Sequence, residues 1–166
     1  MNSNVERTLV LLKPDCVKRM YVGEIITRFE RVGFKIVAMK MVVKSADFFE
    51  KHYYDVEQRH GREILDGNLK TMTSGPVIAM ILEGVDSIEG VRKIVGPTEP
   101  RNAPPGTIRG DYSHYTYARA DSNKVAVRNI IHASANLKDA EYEINLWFTP
   151  EEIFEYKTVH DVFILE

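Results

Sequence analysis

Cys16 is the only cysteine in the chain, so no disulfide can close within it and a cysteine-based zinc site is not expected. A lone cysteine fits a reducing compartment, and the expected location is cytoplasmic. Excess charge is also missing. The net charge of −2 leaves no general pull toward nucleic acid or an anionic membrane, so any anion site has to be local. The longest apolar run, residues 77–82, is far too short to cross a bilayer. The opening M-N-S-N-V-E-R is too polar for a secretory signal. No internal repeat or low-complexity tract occurs. No glycine-rich phosphate loop follows the first apolar stretch, which argues against a doubly wound nucleotide-binding sheet. What is present is the material of one globular core: 166 residues of ordinary composition.

Residues 8–12, T-L-V-L-L, read as a buried strand that Pro14 stops, leaving Lys13 at the strand end. Residues 22–32 carry a helical face of Val22, Ile25, Ile26 and Phe29, closed by Gly33. A second strand is expected over 34–44 and a helix over 46–56. Residues 57–67 are charged and read as a short helical lid or loop. One more helical turn follows at 68–73, ended by Gly75-Pro76. A third strand over 77–82 closes at Gly84, and a helix spans 86–95. Residues 97–110 hold Pro97, Pro100, Pro104 and Pro105, which restrict the backbone and suggest an ordered functional loop. Residues 111–128 are polar and tyrosine-rich. Two β-α-β halves in one short chain predict an α+β fold. This is the ferredoxin-like split β-α-β sandwich, a four-stranded antiparallel sheet with helices on its faces. The chain reads as one domain, with its core at 7–148 and a tail at 149–166.

The chain's chemistry centres on residues 129–136, N-I-I-H-A-S-A-N. Ile130 and Ile131 read as a buried strand. From Leu137 a helical face of Leu137, Ala140, Ile144, Trp147 and Phe148 begins, with Asn136 or Ser134 as N-cap. His132 therefore lies between a strand and a helix N-terminus, where free N–H groups favour an anion. A neutral imidazole there can attack phosphorus, its free pKa being ~6.5. Read locally, a buried histidine bonded to backbone fits as well. Lys13, Arg92 and Arg109 are suited to phosphate, and Thr98 and Asn129 to neutral hydrogen bonds. Each alone is more often a solvated side chain.

The chain resembles nucleoside diphosphate kinases from about residue 7 to residue 148. The likeness rests on K-P-D at 13–15, H-Y at 52–53, S-G-P at 74–76, and G-V-R with G-P-T-E-P between 90 and 100. P-G-T-I-R-G-D at 105–111 and N-I-I-H-A-S-A-N complete it. The resemblance implies that His132 takes the γ-phosphate of a nucleoside triphosphate and passes it to a diphosphate in ping-pong fashion. Lys13 and Asn129 would meet the sugar hydroxyls, with Lys13 also near the transferring phosphate. Arg92, Thr98 and Arg109 would hold the phosphates, and Tyr53 would stand beside His132. Glu143 would accept a bond from the second imidazole nitrogen, with Ser134 in support. Mg2+ would be held mainly by the nucleotide phosphates, with no direct protein ligand. A homo-oligomer, tetramer or hexamer, is implied, with no nucleic acid and no membrane as partner.

This sequence departs from the family pattern in three places. Ala133 and Ala135 replace a glycine and an acidic residue after the histidine. Residues 111–129 and the segment before Ser74 are longer. The phenylalanine that packs on the base is missing, and Ile64, with Leu65 behind it, is assigned to that place. Two other readings compete: a nucleotide-sensing relative without turnover, and an RNA-binding module. The first is disfavoured by the intact motif residues. The second is disfavoured by the lack of an aromatic in residues 77–82.

Overall fold

A computed structural model describes residues 4–164; residues 1–3 and 165–166, the extremes of the expected domain and tail, lie outside the described residues. The elements in order are β1 (Val5–Leu12), α1 (Pro14–Lys18), α2 (Val22–Arg31), β2 (Lys35–Val42), α3 (Ala46–His52), α4 (Val56–His60) and α5 (Arg62–Met72). They continue with β3 (Val77–Val85), α6 (Ser87–Val95), α7 (Ile108–Tyr112), α8 (Tyr117–Ser122), β4 (Ile131–Ala133), α9 (Leu137–Trp147) and α10 (Asp161–Ile164).

The sheet order is β2-β3-β1-β4, and every pairing is antiparallel. This is the expected ferredoxin-like arrangement. β1 is central and buried on both faces, which is why T-L-V-L-L shows no polar alternation. Leu9 and Leu11 enter one core with Phe49, Leu65, Leu69, Met72 and Trp147. Val10 and Leu12 enter the other with Ile25, Phe29, Val91, Val95 and Ile108. Helices thus cover both faces.

The β1–β4 ladder places the site. Leu11 pairs with His132 and Leu12 with Ile131. The strand end at Lys13 therefore lies beside the strand that carries the histidine.

Local differences from the sequence reading have simple causes. β3 runs through Gly84 to Val85 instead of stopping there. A Cβ at Gly84 would come 2.8 Å from Phe34 Cδ1, so the glycine is there for close approach of a ring. The expected single turn at 68–73 is the second half of an eleven-residue helix, α5, whose first half is charged because it is exposed. The expected helix over 46–56 is broken: α3 ends at His52, with Tyr53 as its C-cap. The proline-rich segment contains a 3-10 turn, Pro100–Asn102, and α7, capped by the Thr107 side chain. Leu137 is exposed, and it is Asn136 that caps α9 through a bond from Asp139 N–H.

Candidate active site

The chain reaches β4 through a strained residue. Ile130 has φ 58°, in the left-handed region that a β-branched side chain rarely adopts. The kink is held on both sides: Ile130 carbonyl accepts from Lys13 N–H at 2.9 Å, and Ile131 N–H donates to Asn129 carbonyl at 2.7 Å. It puts the side chains of both Asn129 and His132 into one cavity of about 1110 Å3. Strain of this kind persists only where the surroundings enforce it, as full burial of Ile130 does here.

His132 is oriented from behind. Its Nε2 lies 2.9 Å from Glu143 Oε1, and Glu143 Oε2 accepts from the Ser134 hydroxyl at 2.5 Å. Ser134 is tied to β1, its oxygen accepting from Leu9 N–H at 3.2 Å. Burial works to raise the Glu143 carboxyl, but the charges and hydrogen bonds of His132, His52 and Ser134 outweigh it and hold it below the usual range. With Glu143 ionised, Nε2 carries the proton and Nδ1 keeps its lone pair.

Lys13, Tyr53, Ile64, Arg92, Thr98, Arg109 and Asn129 line the same cavity as His132. Seven separate elements and loops bring them there, which spacing could not show. Lys13 Nζ donates to Asn129 Oδ1 at 2.7 Å, and Asn129 Nδ2 donates to Thr98 carbonyl at 2.9 Å. Burial lowers Lys13 to about 8, against the pull of Asp15. Arg109 is 8% exposed and donates to the carbonyls of Gly96 and Ile131, each at 2.8 Å. Burial, with Arg92 nearby, lowers it to about 10. Arg109 therefore has a structural part as well as a place on the cavity wall. Burial raises the Tyr53 phenol, helped by Glu143 and Asp15, so it stays protonated.

Ile64 is on the cavity wall and 42% exposed. Leu65 is buried in the core and does not line the cavity. The longer 111–129 segment also lines the cavity, with Tyr117, Ala120 and Asp121 of α8 and Lys124 just beyond its C-cap Asn123.

His52 is the residue whose part the sequence left unassigned. It is 4% exposed, its ring centroid is 4.7 Å from that of His132, and the planes meet at 79°. Trp147 Nε1 donates to His52 Nδ1 at 3.2 Å. Burial and the neighbouring His132 push His52 down to about 3, so it is a neutral wall for the reacting imidazole. The H-Y pair at 52–53 was its only signal.

A hard divalent cation prefers oxygen ligands. Among the described residues, the one close cluster of His, Cys, Asp and Glu ligand atoms is His52, His132 and Glu143, which is mostly nitrogen. That set does not suit magnesium. No described helix is long and apolar enough to cross a membrane.

A family model described as nucleoside diphosphate kinase matches residues 6–153. The nucleoside diphosphate kinase of Pyrococcus furiosus is 46% identical over 164 residues, covering 99% of this chain and 96% of that protein. That of Borreliella burgdorferi is 43% identical over 155 residues, covering 92% and 93%. A solved structure of the Borrelia burgdorferi enzyme, described as a transition state mimic with bound vanadate and ADP, superposes with a TM-score of 0.94 at 41% identity, covering 97% of each chain.

Proposed function

The chain belongs to the nucleoside diphosphate kinase family and transfers the γ-phosphate of a nucleoside triphosphate to a nucleoside diphosphate, and we propose that His132 Nδ1 carries the phosphate between the two. The observation that carries this reading is the fixed tautomer: Glu143 takes Nε2, leaving a nucleophilic nitrogen on the cavity wall with Lys13, Arg92 and Arg109 around it. The Nδ1 lone pair forms the N–P bond as the bond from the γ-phosphorus to its bridging oxygen breaks. The electron pair leaves on the diphosphate. A second diphosphate reverses the step, so one site serves both half-reactions.

Arg92, Arg109 and Thr98 hold the phosphates, the arginine forks matching pairs of oxygens. Lys13 and Asn129, already bonded to each other, meet the sugar hydroxyls, with Lys13 near the reacting phosphate. Tyr53 offers a protonated hydroxyl beside His132. Magnesium would be held mainly by the nucleotide and would neutralise phosphate charge, while Arg92, Arg109 and Thr98 bind the phosphates from the protein side. Residues 7–148 form the core of a single cytoplasmic kinase domain, with 149–166 as its tail. The chain works as a tetramer or hexamer. The tail bonds the β2 edge at Ile36 and Val37, and beyond that stretch the exposed Met39, Met41 and Val43 are a surface for a second copy.

The test of the nucleophile is labelling with a γ-labelled triphosphate. Native protein is expected to take up acid-labile, base-stable phosphate, and folded His132→Gln none. Exchange by that variant at near the native rate would sink the assignment. The base meets only an aliphatic face at Ile64, and an apolar contact discriminates by ~1–3 kcal/mol at most. Purine and pyrimidine diphosphates, ribose or deoxyribose, are therefore all expected as substrates, and Ile64→Phe is expected to tighten binding slightly through stacking. A preference for one base above about a hundredfold in kcat/KM would require a hydrogen-bonding reader instead.

A further inference from the structure

Trp147 is the only tryptophan of the chain and lies buried at the end of α9. Its indole N–H donates to His52 Nδ1 at 3.2 Å. An indole nitrogen can only donate, so the bond requires a lone pair on Nδ1. His52 is therefore neutral, with its proton on Nε2. A second proton would have to enter at Nδ1, the atom that Trp147 occupies. On its other side His52 meets the reacting imidazole: the two ring centroids are 4.7 Å apart and the planes stand at 79°. His52 Nε2 is buried and meets no partner among the described residues. The ring is thus held by Trp147 and set edge-to-face against His132.

Glu143 by itself leaves the nucleophile free to swing. An imidazole turns about its Cβ–Cγ bond, and this torsion is broad. Nε2 lies closer to that axis than Nδ1 does. The bond from Nε2 to Glu143 Oε1 therefore tolerates a turn that carries Nδ1 out of line. A ring standing against the imidazole stops the turn. We propose that Trp147 is a positioning residue for phosphate transfer: acting through His52, its indole N–H sets an uncharged ring against His132 and fixes the plane in which Nδ1 attacks. The proposal rests on reading His132 as the phosphate carrier. The absence of charge matters, because a cation at this place would oppose the positive charge that the His132 ring takes up as Nδ1 bonds to phosphorus. The stop is also firm. Trp147 is 2% exposed and packs on Phe48 and Phe49, with ring centroids 4.9 and 5.9 Å away. An alternative is that Trp147 is core packing alone. That role needs its rings and not its N–H.

The experiment removes the N–H and keeps the shape. Because the chain has one tryptophan, growth on benzothienylalanine, which carries sulfur in place of the indole N–H, changes residue 147 alone. Phosphoenzyme formation from γ-labelled triphosphate is timed in a single turnover, with the analogue and with tryptophan, in the native and His52→Phe backgrounds. In the native background the analogue is expected to slow labelling about threefold to tenfold. The nucleotide concentration for half-maximal rate should stay within about twofold, since binding is not what changes. In His52→Phe, which offers the indole no acceptor, the analogue should slow labelling no further. A native rate in the folded analogue form would overturn the proposal. So would an equal slowing in His52→Phe, because Trp147 would then act by another route. If the analogue form does not fold, His52→Phe and His52→Asn decide. The first keeps an uncharged ring and should label at least about threefold faster than the second, which loses it; equal rates would overturn the proposal. Native protein that takes up no acid-labile phosphate would instead sink His132 as carrier, a result distinct from a labelled native protein whose analogue form keeps pace.

Discussion

Arg109 and Arg92 line the same cavity in different settings. Arg109 donates to Gly96 and Ile131, so it ties the end of α6 to β4; Arg92 is exposed. Charge-assisted bonds of this kind contribute about 1.5–3 kcal/mol each. Arg109→Ala is expected to lower the melting temperature of the nucleotide-free protein as well as nucleotide binding, and Arg92→Ala only binding, by about one to two orders of magnitude. Nucleotide-free melting of the two variants, side by side, tests this; equal melting temperatures would refute it. His52 gives a pH prediction. Its pKa is about 3 in the folded chain and ~6.5 when unfolded. The unfolded chain binds the extra proton between those values. The stabilisation is therefore complete above pH 6.5 and declines as pH falls toward 3, by up to about 1.4 kcal/mol per unit. Urea unfolding at pH 7, 6 and 5 should show a shallower decline in His52→Asn than in the native protein. Identical slopes would mean that His52 is charged in the fold.

The walls of the cavity mouth are two elements, α5 and the stretch that follows α8. They meet at Gly67, where an added Cβ would lie 3.2 Å from both Ala126 N and the Val125 carbonyl carbon. Backbone atoms cannot swing aside as a side chain can. Gly67→Ala should therefore move the wall, at an overpacking cost of about 1–3 kcal/mol. The better helix propensity of alanine, about 1 kcal/mol, offsets part of this. KM for nucleoside diphosphates is expected to rise several-fold with little change in melting temperature; an unchanged KM would show that the walls move independently. The Glu63–Lys124 pair across the same mouth, at 3.7 Å between exposed side chains, contributes little. The boundary of α5 was not legible because its first half is held by its exposed position and not by an apolar stripe. Ile64 lines the cavity and Leu65 enters the core, because helical phase decides between neighbours.

For the whole molecule, sedimentation is expected to give a multiple of the 19.0 kDa chain, four or six copies; a monomer at working concentration would contradict it. Sequence alone determined the elements with strong periodicity: β1, α2, β3 and α6 within a few residues, and from their order the antiparallel sandwich. The residue types proposed for the site sit in highly specific strings, and the structure brings those strings to one cavity. Tertiary structure alone decided what burial and pairing decide. The register Leu11↔His132 set Lys13 beside the histidine. Packing under Trp147 made His52 a neutral wall, and two backbone carbonyls gave Arg109 a structural part. Asp15 was left without a donor. None of these has a local signal, because a contact between residues distant in the chain is set by how the layers pack and not by the residues on either side of it.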